Sequence, residues 1–306
     1  MIKVLITGQM RSGTTFLCNF LNSQKDAVVY ADFIRTPFQI GENLNIKDTN
    51  APLTERQKNI LFSNLIAESS AIGLDFSKHL TRESCNTWND FFHQALEALA
   101  ILDGNENAKL TGIKKTEETL YLKSILDGNC KIIYMIRDAR DVLLSSKNRF
   151  SHYKIFPFLK RWEENLEFAN QFAEHPNFKI VQYESLMLDT ERVLKELETF
   201  LNIKLVVNQN QKLKNRSYED IYNDNSSFGD ISKLFDAKGV DRWKKSLESD
   251  EVLIASGAAT NLLSKFNYEI PQSLSNKGRQ RQLVFKYKIY RLYKRFTKII
   301  RGILNR

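Results

Sequence analysis

The chain has 306 residues, 42% of them hydrophobic, which is enough for a large core in one domain with appendages and too apolar for a disordered class. Its net charge of +9 comes from 45 basic and 36 acidic residues, yet Lys277 to Arg306 alone holds 11 Lys and Arg with no Asp or Glu; subtracting those 11 from +9 leaves −2 on residues 1–276. A nearly neutral body with a basic tail lacks the spread of cations that a nucleic-acid-binding fold presents, so no nucleic-acid partner is expected.

Three cysteines, Cys18, Cys85 and Cys130, are too few and too widely spaced for a disulfide framework or a zinc site, and a reducing compartment is expected. The first residues, MIKVLITG, enter a strand-like run with no charged leader, and no segment reaches ~18 uninterrupted apolar residues. The expected location is the cytoplasm.

Taken in chain order, short apolar runs alternate with helical patterns. Residues 3–8, 27–32, 131–137 and 179–184 are rich in β-branched and aromatic residues and read as buried parallel strands. Helical spacing of apolar residues covers Thr14 to Gln24, Thr54 to Ser69, Trp88 to Leu102, Asp138 to Phe150, Phe158 to Glu174 and Thr190 to Leu201. This alternation predicts an α/β fold with a parallel sheet flanked by helices. Residues 33–52 carry turn residues and little periodicity and read as a loop excursion.

The first strand leads into VLITGQMRSGTTFLCNFL, in which Gly8 and Gly13 have the G-x-x-x-x-G spacing of a nucleotide-binding loop. Thr15 falls where a magnesium-binding hydroxyl belongs, but Thr14 stands in place of the lysine and the charge has moved to Arg11. Backbone N–H groups at a helix N-terminus bind an anion without a lysine, and glycines allow close approach to it. Without the lysine, γ-phosphoryl transfer is disfavoured, which points to a 5′-phosphate bearing some other group. A tight strand-to-helix turn with no ligand would show the same glycines. A second segment, IIYMIRDARDVLLSSKNRF, ends a strand at Arg137, continues with Asp138 as helix N-cap, and carries Ser145 two turns on. Both Arg137 and Ser145 can reach an anion beyond the sheet edge. The structural alternative pairs Arg137 with Asp138 or Asp141.

Together these two segments resemble the sulfotransferase family. RSGTTFL is similar to that family's 5′-phosphosulfate loop, which implies donor contacts from Arg11, Ser12, Gly13, Thr14 and Thr15. IRDARDVLLSS is similar to its 3′-phosphate motif, carried by Arg137 and Ser145. The segment 182–203 resembles the strand-then-helix element whose tyrosine helps form the adenine pocket, here Tyr183. KGVDRWKKSL, 238–247, is similar to the late Lys-Gly…Trp element, with Lys238 and Gly239 matched; Trp243 comes early, so either Lys238 or Arg242 makes the contact. The resemblance covers residues 2 to about 266 and implies a P-loop-NTPase-like sulfotransferase fold over 1–272; the basic amphipathic helix expected over 273–306 lies beyond it and is read from charge and apolar period. It also implies 3′-phosphoadenosine 5′-phosphosulfate as co-substrate, with no metal required, and an acceptor hydroxyl or amine; the acceptor loops carry no readable code, and a carbohydrate or lipid-linked acceptor is favoured because the basic tail could bring the enzyme to one.

In such a transfer, negative charge grows on the oxygen bridging sulfur and 5′-phosphate, which Arg11 and Lys115 are placed to stabilise. A general base must take the acceptor's proton. GIKKTEETLYL offers Lys115-Thr116-Glu117, with a carboxylate where the family's cytosolic branch carries histidine; Asp32 in YADFIRTPF is the rival base. The four histidines match no catalytic position. Two other functions share these residues: a P-loop kinase, which would depend on magnesium, and a non-catalytic nucleotide-binding module.

The tail, 281–306, repeats Phe285, Ile289, Leu292, Phe296, Ile299 and Ile303 on one helical face among Lys and Arg. Either this stripe docks on the fold, or the helix lies on an anionic membrane surface and holds the protein peripherally at the inner membrane.

Overall fold

The computed structural model describes residues 1–31, 36–70, 73–117, 121–128, 130–207, 235–271 and 276–304. In chain order the elements are β1 (Ile2–Gly8), α1 (Thr14–Asn22), β2 (Ala27–Ala31), α2 (Gly41–Asn43), α3 (Glu55–Ser70), α4 (Trp88–Leu102), β3 (Leu110–Lys114), α5 (Leu122–Asp127) and β4 (Lys131–Ile136). They continue with α6 (Ala139–Arg149), α7 (Ile155–Gln171), β5 (Phe178–Gln182), α8 (Tyr183–Leu188), α9 (Thr190–Leu201), α10 (Asp250–Ala258), α11 (Thr260–Lys265) and α12 (Lys277–Leu304). The chain divides into two compact units, Met1–Ile136 with Phe172–Asp236, and Arg137–Gln171 with Ala237–Arg306.

The first unit is built on a parallel sheet in the order β2-β3-β1-β4-β5. Val4, Leu5 and Ile6 of the central β1 are fully buried, as a parallel strand covered on both faces requires. Each such side chain contributes roughly 1.5–3 kcal/mol of burial. Helices α1, α4 and α5 pack on these strands. A capping box starts α4, with the Thr87 hydroxyl accepting from Asp90 N–H at 3.0 Å and Asp90 accepting from Thr87 N–H at 2.9 Å.

One strand escapes the sequence pattern. β3 pairs with both β1 and β2, yet LTGIK is interrupted by Gly112. A Cβ there would stand 2.2 Å from the Val4 carbonyl oxygen, so the glycine is what lets β1 and β3 close. Two boundaries also differ from expectation. The segment expected as a loop contains a π-helical turn at Thr36–Ile40 and the short α2, anchored by Phe38 among Trp88, Phe92 and Tyr121. Tyr183, expected inside a strand, opens α8 instead.

The second unit packs α6 on α7 and α10, and α10 on α12. Gly257 allows the last of these contacts, since a Cβ there would lie 2.7 Å from Val284 Cγ2. Arg279 grips Asp250 through Nε at 2.9 Å and Nη2 at 2.7 Å. Tyr287, 1% exposed, donates its hydroxyl to Glu163 at 2.7 Å, and Arg291 reaches the same carboxylate at 3.0 Å. The tail therefore docks on the fold, but not through the expected stripe. Helix α12 docks through Leu283 and Tyr287, while the stripe residues Phe285, Ile289, Leu292, Phe296 and Ile299 are 50–66% exposed. The side chain of Ile303 lies outside the described residues.

Candidate functional site

In the first unit the loop from β1 to α1 is held in a left-handed path. Gly8 has φ 130°, Arg11 φ 71° and Gly13 φ 88°, and Ser12 N–H closes the turn by donating to the Gln9 carbonyl at 3.2 Å. For Arg11 this conformation costs about 1–2 kcal/mol, a strain of the kind that collects at ligand-binding loops. Gly8 cannot be larger, because a Cβ would lie 2.2 Å from the Met135 carbonyl oxygen of β4. At Gly13 a Cβ would lie 2.7 Å from Tyr183 Cδ2 and 3.4 Å from Met135 Cε, so the Tyr183 ring rests directly against the loop.

Helix α1 starts at Gly13 with no capping side chain, which leaves its dipole facing the loop. Ser12 is fully buried, and neither its hydroxyl oxygen nor Gln9 Oε1 has a hydrogen-bond partner among the described residues. A buried hydroxyl without a partner costs about 1–3 kcal/mol, and an anion in the loop would supply the acceptor. The residues present thus fit a phosphate-bearing group. Thr14 is 4% exposed and cannot do the work of a lysine.

The turn after β3 is tied to the same strand end. Lys115 N–H donates to the Ile6 carbonyl at 3.0 Å and Glu117 N–H to the Gly8 carbonyl at 2.9 Å. Glu117 itself has φ 59°, a second left-handed residue that is not glycine. Lys115 and Glu117 are half-buried. Tyr134 of β4 senses the carboxylate: its hydroxyl pKa is pushed well up, first by burial and then by the Glu117 charge. Lys114, which the family triplet leaves out, is 3% exposed, with Nζ 3.4 Å from Thr116 Oγ1. Its signal in the sequence is the doubled lysine of GIKKTEE, of which the triplet uses only Lys115. Asp32, the rival base, lies outside the described residues.

In the second unit Asp138 caps α6, accepting from Arg140 N–H at 2.8 Å. Its carboxylate also pairs with the fully buried Arg140 guanidinium, at 2.9 Å from Nε, a partner that the structural alternative for Arg137 did not name. Arg137, 7% exposed, donates through Nη2 to the Gly239 carbonyl, and its own carbonyl accepts from Trp162 Nε1 at 2.9 Å. The Lys238-Gly239 element is therefore fastened to Arg137 through backbone. Asp141 accepts from Trp243 N–H at 2.9 Å, and burial raises its pKa while Arg137 opposes the shift. The Trp243 ring is stacked by Arg140 at 3.6 Å, a contact with no signal in the sequence. Ser145 is buried on α6; Lys238 and Arg242 are both exposed.

Among the described residues no cluster of His, Cys, Asp and Glu could hold a metal ion, and no helix is long and apolar enough to cross a membrane. All three cysteines are buried and unbridged.

Several known proteins are similar to this chain. Human sulfotransferase 2A1 is 30% identical over 120 residues, 33% of this chain and 42% of that protein. Sulfotransferase 2A1 of Macaca fascicularis is 27% identical over 150 residues, 43% of this chain and 53% of that protein, so the match spans about half the length of these relatives. The solved sulfotransferase domain from the curacin biosynthetic pathway has the same fold, with a TM-score of 0.53 over 88% of this chain and 98% of that one at 19% identity. A family model described as the sulfotransferase domain matches residues 2–255, and the chain belongs to the sulfotransferase family.

Proposed function

We propose that the protein transfers a sulfuryl group from 3′-phosphoadenosine 5′-phosphosulfate to an acceptor hydroxyl, on a carbohydrate or lipid-linked molecule. The observation that carries the reading is the β1–α1 loop: left-handed at Arg11 and Gly13, with the buried Ser12 hydroxyl lacking a protein partner among the described residues and no lysine at the Walker position. Loop N–H groups, Ser12, Thr14, Thr15 and Arg11 hold the 5′-phosphosulfate, with Tyr183 against the loop on the adenine side. Arg137 and Ser145 take the 3′-phosphate, the former aimed by its bond to Gly239. Lys238 or Arg242 adds a surface cation.

The acceptor oxygen attacks sulfur as the bond from sulfur to the bridging oxygen breaks. The leaving electron pair ends on the 5′-phosphate of adenosine 3′,5′-bisphosphate, where Arg11, Lys115 and the α1 N–H groups stabilise it. The acceptor's proton passes to a carboxylate, Glu117 in this reading, since its backbone is bonded to the loop at Gly8; Asp32 is the second candidate. The reaction takes place in the cytoplasm, with the enzyme held peripherally at the inner membrane surface through residues 281–306.

Calorimetry tests the donor assignment. Adenosine 3′,5′-bisphosphate should bind far better than AMP, and Arg137→Ala should lose ~1.5–3 kcal/mol of that affinity, the size of a charge-assisted hydrogen bond. Equal affinity for AMP, or magnesium-dependent ATP hydrolysis, would overturn the assignment. Transfer of labelled sulfuryl groups to an acceptor library, read by mass spectrometry, separates an enzyme from a binding module.

A further inference from the structure

Helix α12 has two faces with opposite fates. At ~100° per residue, Phe285, Ile289, Leu292, Phe296 and Ile299 fall on one side, nearly opposite Leu283 and Tyr287. The second group is buried against the unit, while the first is 50–66% exposed, and Ile300 beside it is 54% exposed. The helix is therefore anchored by its polar-looking side, through Tyr287 and Arg291 on Glu163 and Arg279 on Asp250, and presents its apolar side outward. An exposed apolar stripe of this length on a single helix marks a contact surface.

The chemistry along its edge says which kind. A groove of about 530 Å³ between α7 and α12 is lined by Lys160, Lys288, Arg291, Lys294 and Arg295, with Glu164 the one carboxylate among its lining residues. Glu164 is bonded to Lys160, and Arg291 is bonded to Glu163. Lys288, Lys294 and Arg295 have no carboxylate partner among the described residues. From Lys277 onward the sequence holds no acidic residue at all. A nucleic acid would satisfy the cations but leave the phenylalanines in water; a protein groove edged with carboxylates would meet both, and failure to float with anionic vesicles would favour it. An anionic bilayer satisfies both at once, with acyl chains beneath the stripe and headgroup phosphates beside it.

We infer that α12 lies in the plane of an anionic phospholipid surface, its Phe285–Ile299 stripe entering the acyl boundary and the α7–α12 groove taking a headgroup phosphate on Lys288, Lys294 and Arg295. The inference rests on the peripheral-membrane reading above and adds to it the inserted face and the headgroup site. No helix among the described residues is long and apolar enough to cross a membrane.

Flotation of the full-length protein with phosphatidylcholine vesicles, with and without phosphatidylglycerol, tests it at low salt. The protein should rise only with the anionic vesicles. Lys288→Gln/Lys294→Gln/Arg295→Gln should weaken partitioning roughly 100-fold, from three cations near the surface. Phe285→Gln/Ile289→Gln/Phe296→Gln should abolish flotation with donor-product binding retained, because all three side chains are exposed and their loss leaves the fold intact. Phe296→Trp should be quenched by lipids brominated on their acyl chains. If the wild type does not rise, the peripheral-membrane reading and the inference fall together. If it rises but the groove variant partitions within about 3-fold of wild type, the headgroup site alone is wrong. Undiminished flotation of the stripe variant would make α12 a general polyanion patch and overturn the insertion.

Discussion

Gly13→Ala is the sharpest probe of the β1–α1 loop, because two separate costs fall on one methyl group. Gly13 sits at φ 88°, where an alanine costs about 1–2 kcal/mol. Its Cβ would also arrive 2.7 Å from Tyr183 Cδ2 and 3.3 Å from Cε2, well inside an ordinary contact, with Met135 Cε 3.4 Å away. Overpacking of this kind costs about 1–3 kcal/mol. The substitution should therefore lower the unfolding free energy by ~2–5 kcal/mol in urea titrations and weaken adenosine 3′,5′-bisphosphate binding in calorimetry. The two costs can be parted. Tyr183→Ala removes the clash but not the dihedral strain, so a double-mutant cycle should give a coupling of about 1–3 kcal/mol, leaving the backbone cost behind. A Gly13→Ala protein within ~0.5 kcal/mol of wild type would refute the close approach of Tyr183. Zero coupling would locate the whole cost in the backbone.

Three further outcomes are expected. Glu117→Gln should lower turnover ~100-fold or more while product affinity is retained, and Asp32→Asn should leave turnover near wild type; the reverse pattern moves the base to Asp32. Lys115→Ala should reduce kcat more than it raises KM, since it acts on charge that appears only as the sulfur–oxygen bond breaks; equal loss in both would make it a ground-state contact. His93 should make the fold acid-sensitive: both ring nitrogens are covered, and burial, helped by Lys3, lowers its pKa to about 4 from the usual 6.5. A depressed histidine pKa means that the unfolded chain binds the proton more tightly, so this contribution is complete above pH ~6.5 and is lost as pH falls toward 4. Urea midpoints of wild type should drop over that window more steeply than those of His93→Gln, and parallel profiles would show that His93 is not the group responsible.

What the sequence carried was the chemistry of loops and caps; what it hid was chiefly where backbone meets backbone. Gly8, Gly13 and Asp138 were legible because glycine at fixed spacing and an acid before a helix each answer a local need. β3 was not legible, since Gly112 is there for the Val4 carbonyl on another strand, and a glycine that makes room at long range looks locally like a broken strand. The bond from Arg137 to the Gly239 carbonyl was hidden for a related reason: its acceptor lies 102 residues away, and a backbone oxygen has no letter in the sequence. Helix α12 shows the limit from the other side. Its apolar period gave the helix and its register, but periodicity cannot say which face the fold takes. Tyr287 and Arg291 look like a solvent face until Glu163, buried on α7, turns them into an anchor. Once that carboxylate holds the helix by its polar side, the apolar stripe is left outward, and the basic groove beside it limits what can cover it.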